Sequence, residues 1–397
     1  MQICICRVRV EYVKLEEICT IVSGGTPSRS KPNYWNNGNI PWIKIKDMKS
    51  KYIDSAEEFI TEEGLNNSST KMLKRDTILY SIFATLGEVG ILKIDACTNQ
   101  AIAGLSLKED SNILKEYLYY YLKSKKKDVN NLGRGVAQNN INLSLLRKFK
   151  IPVIPLRQQK KIIEVLDNVS STINNYEREL ALLDELVKAR FVEMFGDPVT
   201  NDMLWNTDVL KDICTKIGSG STPRGGKESY INEGISLIRS MNVHNAYFEY
   251  KDLAHITLDQ AEKLNNVVVE HDDLLFNITG ASVARCCVVP SDVLPARVNQ
   301  HVCILRCREK INPIFLQGLL VNENYQGKLL QIAKSGATRE AINKQQLESL
   351  EIMIPPLEFQ NQFASFVQEI DKSRSRIQKS LEASQELFDS LMQEYFG

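Results

Sequence analysis

Two stretches of the chain keep helical spacing without a break. From Leu156 to Phe195 there is neither proline nor glycine, and apolar residues recur every seventh position. Leu166, Ile173, Leu180, Val187 and Met194 form one row, and Val169, Tyr176 and Leu183 form the other, which Arg190 interrupts. A shift of 201 gives the same register near the C-terminus: Val367, Leu381, Phe388 and Tyr395, then Ile370, Ile377 and Leu391, with Arg374 and Ser384 as interruptions. Rows this narrow predict two helices of about 60 Å that pair as a coiled coil. The alternative, two amphipathic helices each lying on its own domain, calls for a wider apolar face. The expected interface is Leu166, Val169, Ile173, Tyr176, Leu180, Leu183 and Val187 against Val367, Ile370, Ile377, Leu381, Phe388 and Leu391.

The remaining sequence reads differently. Short β-rich runs, Ile40 to Ile45, Thr77 to Phe83 and Ala101 to Leu107, are separated by turns at Gly24-Gly25 and Asn37-Gly38. A helix is expected over about Leu114 to Lys127. The same order returns from Ile235 through Cys307, followed by a helix near Pro313 to Leu330. The correspondence is residue by residue. Ser23-Gly24-Gly25-Thr26-Pro27 recurs as Ser219-Gly220-Ser221-Thr222-Pro223 at a shift of 196, and Asn99-Gln100 as Asn299-Gln300. Ile141-Asn142, Pro155-Leu156, Gln159 and Phe195-Gly196 recur at a shift of 201. So many collinear matches identify a tandem duplication.

The expected architecture is therefore α+β: two similar globular modules joined by two long antiparallel coiled-coil helices, with an internal pseudo-two-fold repeat. The boundaries read as 1–155 and 197–356 for the modules and 156–196 and 357–397 for the helices.

Charge narrows what the modules meet. The 397 residues carry 49 basic and 49 acidic side chains, which excludes a uniformly basic surface but not a local one. The two long helices hold ten basic and fourteen acidic residues, leaving 39 and 35 elsewhere, so the small positive excess lies on the modules. Affinity for nucleic acid alone is then expected to be modest and salt-sensitive.

Nine cysteines, an odd count, suggest reduced thiols and a cytoplasmic protein without a leader, and no apolar run is long enough to span a membrane. Catalytic signatures are lacking. Ser221 to Glu228 has Ser at the first glycine position of a phosphate-binding loop and Glu where its hydroxyl residue belongs. All four histidines, His244, His255, His271 and His301, lie in the second repeat, so the modules cannot share histidine chemistry. Cys286, Cys287, Cys303 and Cys307 lack the paired spacing of a zinc knuckle and read as small core residues; no metal is expected.

The polar loops suit duplex DNA. Thr26, Arg29 and Lys31, with their counterparts Thr222, Arg224 and Lys227, combine hydroxyls and cations in a turn, as phosphate contacts do. Lys44 and Lys46 are expected on one face of a strand; their thinner counterpart in the second repeat is Arg239, then Asn242 and His244. Arg134, Gln138 and Asn139, against Arg339 and Lys344, have the side chains that read guanine and adenine edges. Framework positions repeat while these loops diverge, as in two readers of different half-sequences.

Gly24-Gly25-Thr26-Pro27, Tyr34-Trp35 and Ile40-Pro41-Trp42-Ile43, with Gly220-Ser221-Thr222-Pro223 and Tyr230, carry a resemblance. So do Ile154-Pro155-Leu156-Arg157-Gln158-Gln159, Ile354-Pro355-Pro356-Leu357-Glu358-Phe359-Gln360 and Met194-Phe195-Gly196-Asp197-Pro198. Across its whole length the chain resembles the specificity subunit (HsdS) family of type I restriction-modification systems. The resemblance implies two target-recognition domains, each reading half of a bipartite site in double-stranded DNA. It implies helices that set the spacer and dock two modification subunits, which would methylate adenine with S-adenosylmethionine. Restriction subunits would add translocation and cleavage with ATP and Mg²⁺. This chain itself would be non-catalytic and hold no cofactor. A competing reading is a coiled-coil scaffold whose modules bind proteins. The second repeat lacks the Tyr-Trp and Pro-Trp pairs of the first.

Overall fold

The computed structural model describes residues 11–133, 140–223, 225–334 and 340–397, without the side chains of 131–133 and 227. Contacts divide the chain into two compact units, one joining Met1–Asn175 to Ser380–Gly397 and the other formed by Tyr176–Lys379. Each long helix thus contributes to both units.

The first unit is organised by the strand Ile78–Ser81, apolar except for Ser81 and buried throughout. Such a run needs cover on both faces. Ile78 and Tyr80 face a core shared with the helix Lys115–Ser124, while Leu79 faces a second core with Ile43, Ile53 and Leu92. This strand sits third in a five-stranded sheet, in the order Cys19–Ser23, Ile102–Leu107, Ile78–Ser81, Val89–Leu92 and Tyr52–Ile53. A three-stranded sheet follows, with Ile40–Ile43 between Glu58–Ile60 and Cys97–Thr98.

The second unit repeats the plan. Leu274–Asn277 is buried at every residue, with Leu274 and Phe276 in one core and Leu275 in another. Its sheet runs Cys214–Ser219, Val302–Cys307, Leu274–Asn277 and Cys286–Val288. The companion sheet places Ile235–Ile238 between Ala254–Ile256 and Ala296–Val298. The duplication read in the sequence is therefore a duplication of topology. Cys286 and Cys287, adjacent on a strand, face the two different cores, and burial pushes the Cys287 thiol up to about 12.

Each module passes into its long helix through a buried glutamine. The Gln159 carbonyl oxygen accepts from the Leu114 amide, and its amide donates to the Asn112 and Ile154 carbonyls, all at 2.8 Å. Gln360 repeats this with the Asn312 amide and the Lys310 and Pro355 carbonyls. Both side chains are fully buried, so every polar atom has to find a partner within the fold.

The long helices span Leu156–Phe195 and Leu357–Phe396. In the second unit their pairing is antiparallel: Phe191 and Phe195 pack on Phe363 at 5.4 and 5.7 Å, and Asp184 meets Arg374 at 2.6 Å. Arg190 and Arg374, which break the apolar rows, both have partners there, Arg190 lying 5.9 Å over the Phe366 ring. In the first unit Leu166 shares a core with Met392 and Phe396, and Phe396 packs on Tyr117 and Tyr121. All thirteen expected interface positions are buried or half-buried, whereas Leu182 and Leu186, outside the rows, are exposed.

Two expected helices are each split. The first run divides into Lys115–Ser124 and Lys126–Gly133. The second divides into Pro313–Val321 and Glu323–Lys334, because Asn322 leaves the helical conformation and its side chain caps the amide of Asn324. The run from Ile40 stops at Ile43, and Ile45–Asp47 is a 3-10 turn.

Candidate nucleic-acid interface

In both modules the Gly-x-Thr-Pro segment is pressed against the chain that precedes a sheet strand. A Cβ on Gly24 would lie 2.1 Å from the Asn99 carbonyl oxygen, and one on Gly220 would lie 1.8 Å from that of Val298. Only glycine permits this approach. The next contact is also duplicated: the Thr26 hydroxyl donates to Gln100 Oε1, and the Thr222 hydroxyl donates to Gln300 Oε1. The first threonine is exposed and the second half-buried, so neither hydroxyl is an unengaged DNA contact.

The first module gathers its cations around two carboxylates. Arg29 lies 3.6 Å over the Trp35 ring and pairs with Glu58 at 2.5 Å. Lys44 pairs with the other oxygen of Glu58, and Lys46 pairs with Glu57. Lys31 donates to the Tyr34 hydroxyl at 2.9 Å. The expectation that Lys44 and Lys46 share a strand face is corrected here. Asp47 accepts from the Lys44 amide at 2.7 Å and turns the chain, so Lys46 stands on the turn. Arg239 begins the same turn in the second module, its amide donating to Asn242 Oδ1 at 3.1 Å.

The second module carries an open cleft of about 400 Å³ lined by Ser240, Met241, Thr279, Gly280, Ala281, Ser282, Arg285 and His301. Among the described residues no carboxylate lines it. Thr279 Oγ1 meets His301 Nδ1 at 2.6 Å, and His301 Nε2 lies 3.2 Å from the Gln300 amide, so the threonine–glutamine contact continues into the cleft wall. His244 stacks on Tyr247 with centroids 4.6 Å apart, and its Nδ1 lies 3.4 Å from Arg285. A cation, two imidazoles, hydroxyls and a stacking ring are groups that meet phosphates and base edges.

At the matching positions the first module has Phe83 for Thr279, Glu88 for Arg285 and Ala101 for His301. Phe83 is half exposed and bridges to Asn140, as Thr279 bridges to Ala341. The frame is shared and the surface chemistry is not.

Lys344 is exposed and pairs with Glu348 at 3.5 Å. Arg134, Gln138, Asn139, Arg224 and Arg339, and the side chain of Lys227, lie outside the described residues. Sequence reasoning missed Arg285, Thr279 and Gln300 as surface residues, and Glu57 and Glu58 as partners of the cations. Only the Gln100–Gln300 match hinted at the duplicated contact.

One arrangement imitates a catalytic triad. Ser291 Oγ meets His271 Nε2 at 2.7 Å, and His271 Nδ1 meets Asp272 at 3.3 Å. The His271 and Asp272 side chains are 67% and 70% exposed, and an imidazole so open to water lacks the enclosure that activates a nucleophile.

Comparison with known proteins agrees with this geometry. The family described as the type I restriction modification DNA specificity domain matches twice, over residues 7–184 and 203–385, once per repeat. A type I restriction enzyme specificity subunit from Escherichia coli is 34% identical over 188 residues, 46% of this chain and 46% of its own length. A second, from Methanocaldococcus jannaschii, is 26% identical over 403 aligned positions, 96% of this chain and 90% of that one. The fold is similar to that of a type I restriction-modification S subunit from M. genitalium, with a TM-score of 0.60 and 14% identity over 100% of this chain and 98% of that one. With both repeats matched, the chain belongs to the type I restriction modification DNA specificity family.

Proposed function

We propose that this chain is the sequence-reading subunit of a type I restriction-modification complex, each module meeting one half of a bipartite duplex site. The observation that carries the reading is the duplicated frame with divergent surfaces: Thr26–Gln100 and Thr222–Gln300 recur, while Phe83, Glu88 and Ala101 give way to Thr279, Arg285 and His301. Two copies of one enzyme site would have kept their reactive groups. Two readers keep the mount and change the side chains that touch bases.

The long helices set the distance between the half-sites and dock two modification subunits. Methyl transfer from S-adenosylmethionine and ATP- and Mg²⁺-driven cleavage belong to the modification and restriction subunits, and this chain acts by positioning them. In the second module Arg285 and His244 supply charge and stacking at the duplex. Arg29, Lys31 and Lys44 do so in the first.

Mapping methylated sites in cells that carry the system tests the assignment. Exchanging residues 1–155 for those of another family member is expected to change one half of the methylated sequence only. A change in both halves, or in neither, overturns it. The scaffold alternative predicts duplex binding with no salt dependence, whereas phosphate contact gives a steep linear loss on a logarithmic plot.

A further inference from the structure

The first module's basic residues already have an anionic partner. Arg29 is laid over Trp35 at 3.6 Å and reaches Trp42 at 5.1 Å, the two rings meeting edge to face at 5.0 Å. Both indoles are fixed, Trp35 donating to the Ser28 carbonyl and Trp42 to that of Gly25. From this aromatic shelf the guanidinium points its donors at Glu58, whose second oxygen takes Lys44. Glu57 takes Lys46. Carboxylate and phosphate oxygens accept from a guanidinium in the same way, so Glu58 stands where a phosphate would. Burial pushes its carboxyl up, yet the hydrogen bonds from Lys44 and Arg29 outweigh this and hold it below the ordinary value, so it is ionised at neutral pH.

The second module is an internal control. Glu58 pairs across the sheet with Trp42, and Ala254 pairs in the same way with Leu237, so Ala254 occupies the Glu58 position. Arg239, the counterpart of Lys44, donates to the Asp252 carbonyl and lies 5.4 Å over the Tyr230 ring. Its buried Nε has no hydrogen-bond partner among the described residues. The carboxylate is therefore not a requirement of the shared frame.

We infer that Glu58, assisted by Glu57, is a built-in counter-charge that occupies the first module's cations and lowers its affinity for duplex DNA of unrelated sequence. The inference rests on the proposed role of this loop at DNA. A correct site supplies base contacts that complete the exchange of carboxylate for phosphate, whereas an unrelated site offers phosphate alone.

The test is a salt series of binding by the whole chain to a short mixed-sequence duplex. Glu58→Gln is expected to bind about three- to tenfold tighter, with a salt slope steeper by about one to two, because two cations are released to phosphate. Glu58→Asp, which keeps the charge, is expected to match the wild type. Glu57→Gln, at a more exposed pair, is expected to gain about twofold through Lys46. Adding Arg29→Ala and Lys44→Ala to Glu58→Gln is expected to abolish its gain. Weaker binding by Glu58→Gln, equal gains for Gln and Asp, or a gain that survives loss of Arg29 and Lys44 would overturn the inference. If the wild type binds with a clear salt slope and neither glutamine variant differs from it, only the inference falls. If the wild type shows no slope, the DNA-reading role falls and takes the inference with it.

Discussion

At the residue scale the two repeats solve one problem in two ways. Asp273 is fully buried and held by Arg306 through two hydrogen bonds of 2.8 and 2.9 Å. At the same sites the first module places Thr77 and Ser106, whose hydroxyls meet at 3.2 Å. Asp273→Ala takes away two of the acceptors of Arg306 but leaves it Glu270 and the Val268 carbonyl, so it is expected to cost about 1–3 kcal/mol in denaturant unfolding. Replacing both, with Asp273→Thr and Arg306→Ser, is expected to recover most of that, since the first module shows that the frame accepts hydroxyls. The thiols give a second residue-level outcome. Burial pushes Cys97 up to about 11 and Cys303 up to about 12, so little thiolate exists at neutral pH. Both are expected to resist a thiol reagent in the native protein and to react fully in denaturant; rapid native labelling would contradict the packing. The pairings of Arg29 and Lys44 with Glu58 were illegible in the sequence, because the partners lie 29 and 14 positions apart and nothing in local pattern joins them.

At the element scale periodicity was a good guide where an element is long or doubly covered. The rows from Leu166 to Val187 and from Val367 to Leu391 matched the burial of both helices, and the β-rich run from Thr77 to Phe83 contains the strand Ile78–Ser81. Short polar turns were not legible. Lys44 to Asp47 alternates as a strand would, but the Asp47 carboxylate captures the Lys44 amide and bends the chain. Asn322 likewise ends one helix by capping the next, a choice that composition does not disclose. Energetics within the helix pair should follow burial rather than charge. Phe363→Ala removes a fully buried ring that touches Phe191 and Phe195, and is expected to cost about 3–5 kcal/mol. Arg374→Ala removes a half-exposed ion pair with Asp184 and is expected to cost about 1 kcal/mol or less. Thermal unfolding of the two variants checks the order. Gln360→Ala, which strands the Asn312 amide and two carbonyls, is expected to cost about 2–4 kcal/mol.

At the scale of the whole molecule, duplication makes function separable. Each module is tied to its own long helix by its own glutamine, Gln159 or Gln360, so half-site exchange is the decisive experiment for the proposed role. Seven residues inserted in the first helix add about 10 Å and are expected to lengthen the methylated spacer or to abolish activity. An unchanged spacer with full activity would refute the measuring role of the helices.

The first unit's composition has a consequence for how the protein is made. Met392 and Phe396 complete a core whose other members, Leu15 through Leu166, leave the ribosome far earlier. At about 5–20 residues per second, roughly 10–40 s of synthesis separate the first long helix from the second. For that interval the nascent N-terminal half carries an open apolar seam, and a message cut short before Ser380 yields a product that lacks the residues closing the core of its beginning.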